Sequence, residues 1–138
     1  MRALVAYSSV GGMAPLAEKL GSGLESVGFT VQLLECGASS GVLPLGQYDL
    51  VCIGSPVMGA FGGSIADDVD ALIKRATRLE GKASVAFVRP RLFGNTRALQ
   101  KLMAAMERQG SVVQDFAAVP TPNDAYRLGC RLANVIRR

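Results

Sequence analysis

The sequence predicts one doubly wound α/β domain spanning residues 1–138, with a parallel five-stranded sheet between two layers of helix. Three observations carry this. Short apolar runs without alternation recur along the chain (Ala3-Leu4-Val5-Ala6, Leu50-Val51-Cys52-Ile53), as parallel strands covered on both faces require. Each run is followed by a segment whose apolar residues recur at helical spacing. Right-handed crossovers make this a doubly wound parallel sheet, and with the expected strand order 2-1-3-4-5 the loops after strands one, three and four converge where strand order reverses. Those are the three loops of unusual composition.

The first strand covers Met1 to Tyr7. Leu16, Leu20, Leu24 and Val27 mark the first helix, and Gly28 is placed to end it. Gly21 and Gly23 lower its intrinsic propensity, so it must rest on tertiary packing or on close approach to the sheet. Phe29 to Glu35 is the second strand, and residues 36–47 read as a long Gly/Ser/Pro loop. Tyr48 to Gly54 is the third strand. A helix is expected from Ser64, with Asp67 as its capping partner and Ile65, Val69, Leu72, Ile73, Ala76 and Leu79 as its buried stripe. Lys82 to Val88 is the fourth strand. Asn95 is expected to cap a helix buried through Leu99, Leu102, Met103 and Met106 and closed by Gly110. Val112 to Val119 is the fifth strand. Thr121-Pro122 opens the last helix, lined by Ala125, Leu128, Leu132 and Val135.

Composition narrows the chemistry. The chain is 49% hydrophobic, enough for a core, yet no apolar run reaches the roughly 18–20 residues that cross a bilayer. No membrane insertion is expected. The N-terminus runs straight into a strand without a leader pattern, so a cytoplasmic address is expected. Cys36, Cys52 and Cys130 are widely spaced and read as reduced thiols. Histidine is absent, which removes His-ligated metal and a Ser-His-Asp triad. The net charge of +4 is spread over scattered arginines, with few aromatics, so no nucleic-acid partner is expected.

The first loop, Tyr7-Ser8-Ser9-Val10-Gly11-Gly12-Met13-Ala14-Pro15, passes directly from strand to helix. Such a turn aims backbone N–H groups and a helix dipole at one point, which suits an anion such as a phosphate. A tight turn that binds nothing fits this loop equally well. The second loop is Ser55-Pro56-Val57-Met58-Gly59-Ala60-Phe61-Gly62-Gly63, and the third is Arg89-Pro90-Arg91-Leu92-Phe93-Gly94.

With these pieces in hand the chain resembles the flavodoxin family over essentially its whole length. The match lies in Y-S-S plus a glycine turn, in Y-D-L-V-C-I-G-S-P-V, and in the short loop leading to G-N-T-R. The resemblance implies a flavodoxin-like three-layer sandwich and an FMN site. Ser8, Ser9, Val10, Gly11, Gly12, Met13 and Ala14 would then hold the phosphate. Ser55, Pro56, Val57, Met58 and Gly59, with Arg89, Arg91 and Phe93, would flank the isoalloxazine ring.

The chain departs from the family pattern in three ways. Gly11, Met13 and Ala14 stand where further hydroxyl or amide donors are usual, no Trp is available to stack on a ring, and the charge is basic rather than acidic. The expected function is therefore an FMN-binding redox protein with weak FMN affinity, working with a redox partner protein or a small acceptor such as a quinone or nitro compound. If it is an enzyme, it is an FMN-dependent oxidoreductase with no side chain needed as acid or base. A flavin-free module that binds a protein partner or another anionic ligand is the alternative. For Arg89 and Arg91, which bracket Pro90, two readings stay open: solvated surface charges, or a guanidinium beside the ring.

Overall fold

The computed structural model describes residues 1–38 and 40–135; Ser39, in the long loop expected over 36–47, lies outside them. Its elements are β1 (Arg2–Tyr7), α1 (Ala14–Ser26), β2 (Thr30–Glu35), β3 (Leu43–Pro44), β4 (Leu50–Pro56), α2 (Asp67–Arg75), β5 (Ala76–Thr77), β6 (Ala83–Arg89), α3 (Asn95–Arg108), β7 (Val112–Ala118) and α4 (Pro122–Arg131). A 3₁₀ turn, Leu132–Asn134, follows α4. The main sheet runs β2-β1-β4-β6-β7 with every pairing parallel. Counting only its five long strands, that is order 2-1-3-4-5, as the sequence predicts.

Two-sided burial explains the unalternating strands. Alternate residues of the central strands enter separate cores. Leu4, Ala6, Val51, Ile53, Ala86 and Val88 pack with Val69, Leu72, Ile73, Leu102 and Met106 of α2 and α3. Ala3, Val5, Leu50, Cys52, Val85 and Phe87 pack with Leu16, Leu20, Leu24, Ala125 and Leu128 of α1 and α4. Apolar side chains on both faces keep water from either side of these central strands.

Several boundaries differ from expectation. α2 begins at Asp67, not Ser64, and its N-cap Ala66 has no side-chain cap. Gly62 and Gly63 have φ of 72° and 82°, which no helical turn accepts, and Ser64 pairs with Met58 instead. α2 also stops at Arg75: Ala76 and Thr77 extend to pair with Leu43 and Pro44, so the expected long loop contains a two-residue strand. Ala76 and Leu79 keep their places in the core regardless. Asn95 is the first residue of α3 rather than its cap; left-handed Gly94 (φ 77°) holds the cap position. The Asn95 side chain instead bonds Arg91, accepting from its N–H and donating to its C=O, both at 2.8 Å. Leu99 and Met103 are half-buried, while Ala98 and Ala105 are buried. Val135 packs against the core from beyond the end of α4.

The glycines of α1 are there for close approach. A Cβ on Gly21 would sit 3.2 Å from Val31 of β2. A Cβ on Gly23 would overlap the Tyr126 carbonyl, and one on Gly129 the Leu20 carbonyl and Leu24 amide. Backbone meets backbone where α1 crosses α4, and neither side can rotate away. Gly129→Ala is therefore expected to destabilise the protein. Ala is preferred to Gly in a helix by about 1 kcal/mol, but overpacking against fixed backbone costs about 1–3 kcal/mol. A lower urea midpoint at unchanged slope checks this; a raised midpoint would show that the helices do not meet there.

Candidate functional site

The carboxyl ends of β1, β4 and β6 deliver the three loops to one edge of the sheet. Gly11 and Gly12 take φ of 76° and 68°, a left-handed pair that turns the chain from β1 into α1. Both also lack room for a side chain. A Cβ on Gly11 would strike the Pro56 ring, and one on Gly12 the Arg89 guanidinium. Arg89 Nη1 donates to the Gly11 carbonyl at 2.7 Å, tying the first loop to the third. α1 then starts with no side-chain cap and no acidic residue in its first turn.

The second loop is a closed hairpin. Met58 and Ser64 exchange backbone hydrogen bonds at 2.9 and 3.2 Å, and the Gly63 N–H donates to the Gly94 carbonyl at 3.1 Å. A Cβ on Gly62 would overlap the Phe93 carbonyl, so the second and third loops touch through bare backbone. Arg91 Nη1 donates to the Gly59 carbonyl at 2.8 Å. The two arginines that read as solvated or ring-facing thus each anchor a loop carbonyl.

Between the loops lies a cleft of about 370 Å³, lined by Gly11, Pro56, Val57, Met58, Arg89, Pro90 and Arg91. A neighbouring hollow of about 230 Å³ shares Arg91 and is walled by Phe61, Leu92 and Phe93. Those three apolar side chains are 84%, 90% and 68% exposed, too much for core residues.

The other expected site residues are placed unevenly. The Ser55 hydroxyl is buried, donating to the Pro56 carbonyl at 2.8 Å and accepting from the Ala66 N–H at 2.9 Å. Its donor is thus spent within the fold. Met13 is buried in the core beneath α1, so only its backbone faces the loop. Pro56 and Val57 are buried, Ala14 is half-buried, and Ser9, Val10, Met58 and Gly59 are exposed.

Asp68, in the first turn of α2, is the residue that sequence reasoning missed. Its carboxylate accepts from the Ser8 hydroxyl at 2.7 Å and from both the Ser9 N–H and the Ser9 hydroxyl at 2.8 Å. The Ser8 hydroxyl also accepts from the Val10 N–H at 3.2 Å. Partial burial pushes the Asp68 carboxyl up, but the bonds from Ser9 and Ser8 outweigh it and hold it below the usual aspartate range. An acidic first turn is visible in Asp67-Asp68-Val69-Asp70. Nothing in that run shows a carboxylate reaching a loop 59 residues away.

Burial disfavours the thiolate form of the two buried cysteines. Burial pushes the Cys36 thiol up to about 12, with the Asp68 charge adding to it and Arg75 opposing, and burial also raises Cys52. Among the described residues no cluster of His, Cys, Asp and Glu could hold a metal ion, and no helix is long and apolar enough to cross a membrane.

No family model and no curated protein sequence matches the chain. Solved structures do. A flavodoxin from the domain Archaea superposes with a TM-score of 0.77 at 22% identity, covering 100% of both chains. The oxidised Flavodoxin 1 of Bacillus cereus gives 0.75 at 14%, covering 99% of this chain and 97% of that one. A flavone reductase gives 0.77 at 11%, with 99% of this chain matched to 63% of that one. The fold is flavodoxin-like.

The Asp68 contact sets a pH dependence. A carboxyl held below its unfolded value stabilises the native loop above that value and loses the effect as pH falls through the native one. The Ser9 amide proton is therefore expected to keep its NMR shift near neutrality and to move only below about pH 4, the ordinary aspartate value. Asp68→Asn should abolish the transition. A Ser9 amide that titrates above that value would show that the carboxylate is not held there.

Proposed function

We propose that this protein binds a flavin in the cleft between its three loops, holds FMN weakly, and works in redox chemistry with a partner protein or a small-molecule acceptor. The observation that carries this is the cleft itself. Loops from β1, β4 and β6 meet at the switch point of the sheet and enclose about 370 Å³, within the range of about 300–1,000 Å³ typical of ligand sites. Its lining sets Pro56 to Met58 beside Arg89 to Arg91, joined by the Val57 N–H to Arg89 carbonyl bond at 3.0 Å.

The phosphate end suits its group less well. Gly11, Gly12 and the uncapped start of α1 offer backbone donors. The hydroxyls of Ser8 and Ser9 are already given to Asp68. A flavin, when bound, supplies the one- and two-electron chemistry, while the chain orients the ring and sets the charge around it.

A hydrogen bond to a charged group contributes about 1.5–3 kcal/mol. With two hydroxyls withheld, FMN binding is weakened by roughly 3–6 kcal/mol, or 10²- to 10⁴-fold. A second reading, a flavin-free module docking a protein partner, is favoured by the exposed Phe61, Leu92 and Phe93 beside Arg91.

Titration with FMN, followed by quenching of flavin fluorescence, is expected to give micromolar binding and protein that loses colour on purification. Tight stoichiometric FMN would overturn the weak affinity, and no flavin binding at all would leave the docking module. Arg91→Gln, in protein saturated with FMN, should lower the midpoint potential. A cation beside the ring stabilises the added negative charge, and this variant removes it. An unmoved midpoint would place the ring elsewhere.

A further inference from the structure

We infer that Asp68 takes the place of a ligand's phosphate in the first loop, so that the cleft discriminates against phosphorylated flavin and prefers riboflavin to FMN. This rests on the flavin-binding reading above. The geometry is specific. One carboxylate oxygen of Asp68 receives the Ser8 hydroxyl at 2.7 Å, and the other receives the Ser9 N–H and hydroxyl at 2.8 Å each. Three donors converging on two oxygens of one anion is the pattern that a loop of this kind would otherwise offer a phosphate. Here the anion is covalently part of the chain.

A phosphate approaching those donors must either displace the carboxylate or lie against it. Displacement strips three short bonds from a half-buried charge; lying alongside sets like charges together. Neither cost applies to a neutral ribityl chain ending in a hydroxyl.

Arg89 does not reverse this. Its guanidinium sits over Gly12 and is engaged with the Gly11 carbonyl at 2.7 Å. It tempers the repulsion from the far side of the turn but leaves the Ser8–Ser9 side closed.

The test uses the full chain, unaltered and as Asp68→Ala, titrated separately with riboflavin, FMN and inorganic phosphate. The unaltered protein should bind riboflavin at least as tightly as FMN. Asp68→Ala should raise FMN affinity by about tenfold or more, the scale of one charge-assisted bond, and leave riboflavin within about threefold. Inorganic phosphate should shift the Ser9 amide resonance in the variant alone. FMN bound more tightly than riboflavin by the unaltered chain overturns the inference, as does an equal gain for both flavins or for neither. Should both proteins ignore both flavins, the flavin reading falls; a phosphate shift confined to the variant would still uphold the role of Asp68, and its absence would overturn that too. If Asp68→Ala does not fold, Asp68→Asn keeps the size of the side chain, removes its charge and answers the same question.

Discussion

Four consecutive residues at the carboxyl end of β4 hold the working edge of this protein together. The Gly54 carbonyl accepts the Ser8 N–H at 3.1 Å, which fixes where the first loop leaves the sheet. The Ser55 hydroxyl accepts the Ala66 N–H, which fixes where α2 begins. Pro56 packs its ring into the space that Gly11 leaves bare. The Val57 N–H donates to the Arg89 carbonyl at 3.0 Å, binding the second loop to the third. All four are buried, so these bonds form away from competing water, where a missing partner would be costly. The strand can present them in register only because its own residues are apolar on both faces and cannot shift by one without exposing a core.

That dependence explains which parts were legible in the sequence. The central strands β1, β4 and β6 declare themselves because two-sided burial demands mostly apolar residues along them, whereas the edge strands β2 and β7 are more exposed and carry Gln32, Glu35, Gln114 and Asp115. Loops were locatable because Gly11, Gly12, Gly59, Gly62 and Gly63 cluster just after strands. Their purpose was less visible. Gly12 makes way for Arg89 and Gly62 for the Phe93 carbonyl, and each partner lies far along the chain. Ser64 followed by Asp67 has the spacing of a capping box, but two left-handed glycines ahead of it divert Ser64 into a hairpin. Local signals failed where a tertiary contact used the same residues.

Asp68 is the clearest case. In the sequence it is one of three acids in a helical first turn, where the dipole alone would justify it. Its actual partners, Ser8 and Ser9, read as ligand donors because the resemblance assigned them to a phosphate. In the fold those donors meet the Asp68 carboxylate. No periodicity distinguishes a donor that awaits a ligand from one already satisfied within the fold, because both need the same residue types at the same spacing.

The site is left electrically lopsided. Arg89 and Arg91 line the cleft, each pinned to a loop carbonyl, so their charges are fixed rather than wandering on free side chains. Asp68 sits against the start of the first loop, pinned by three donors from Ser8 and Ser9. A ligand suited to that field gains negative charge where the guanidiniums are and carries little where the carboxylate is. A permanent dianion at the tail would meet the field the wrong way round, while a ring that takes up electrons would meet it the right way. Charge at fixed positions costs no reorganisation when a ligand's own charge changes, so under the flavin reading proposed above this arrangement would favour chemistry at the ring over grip at the tail.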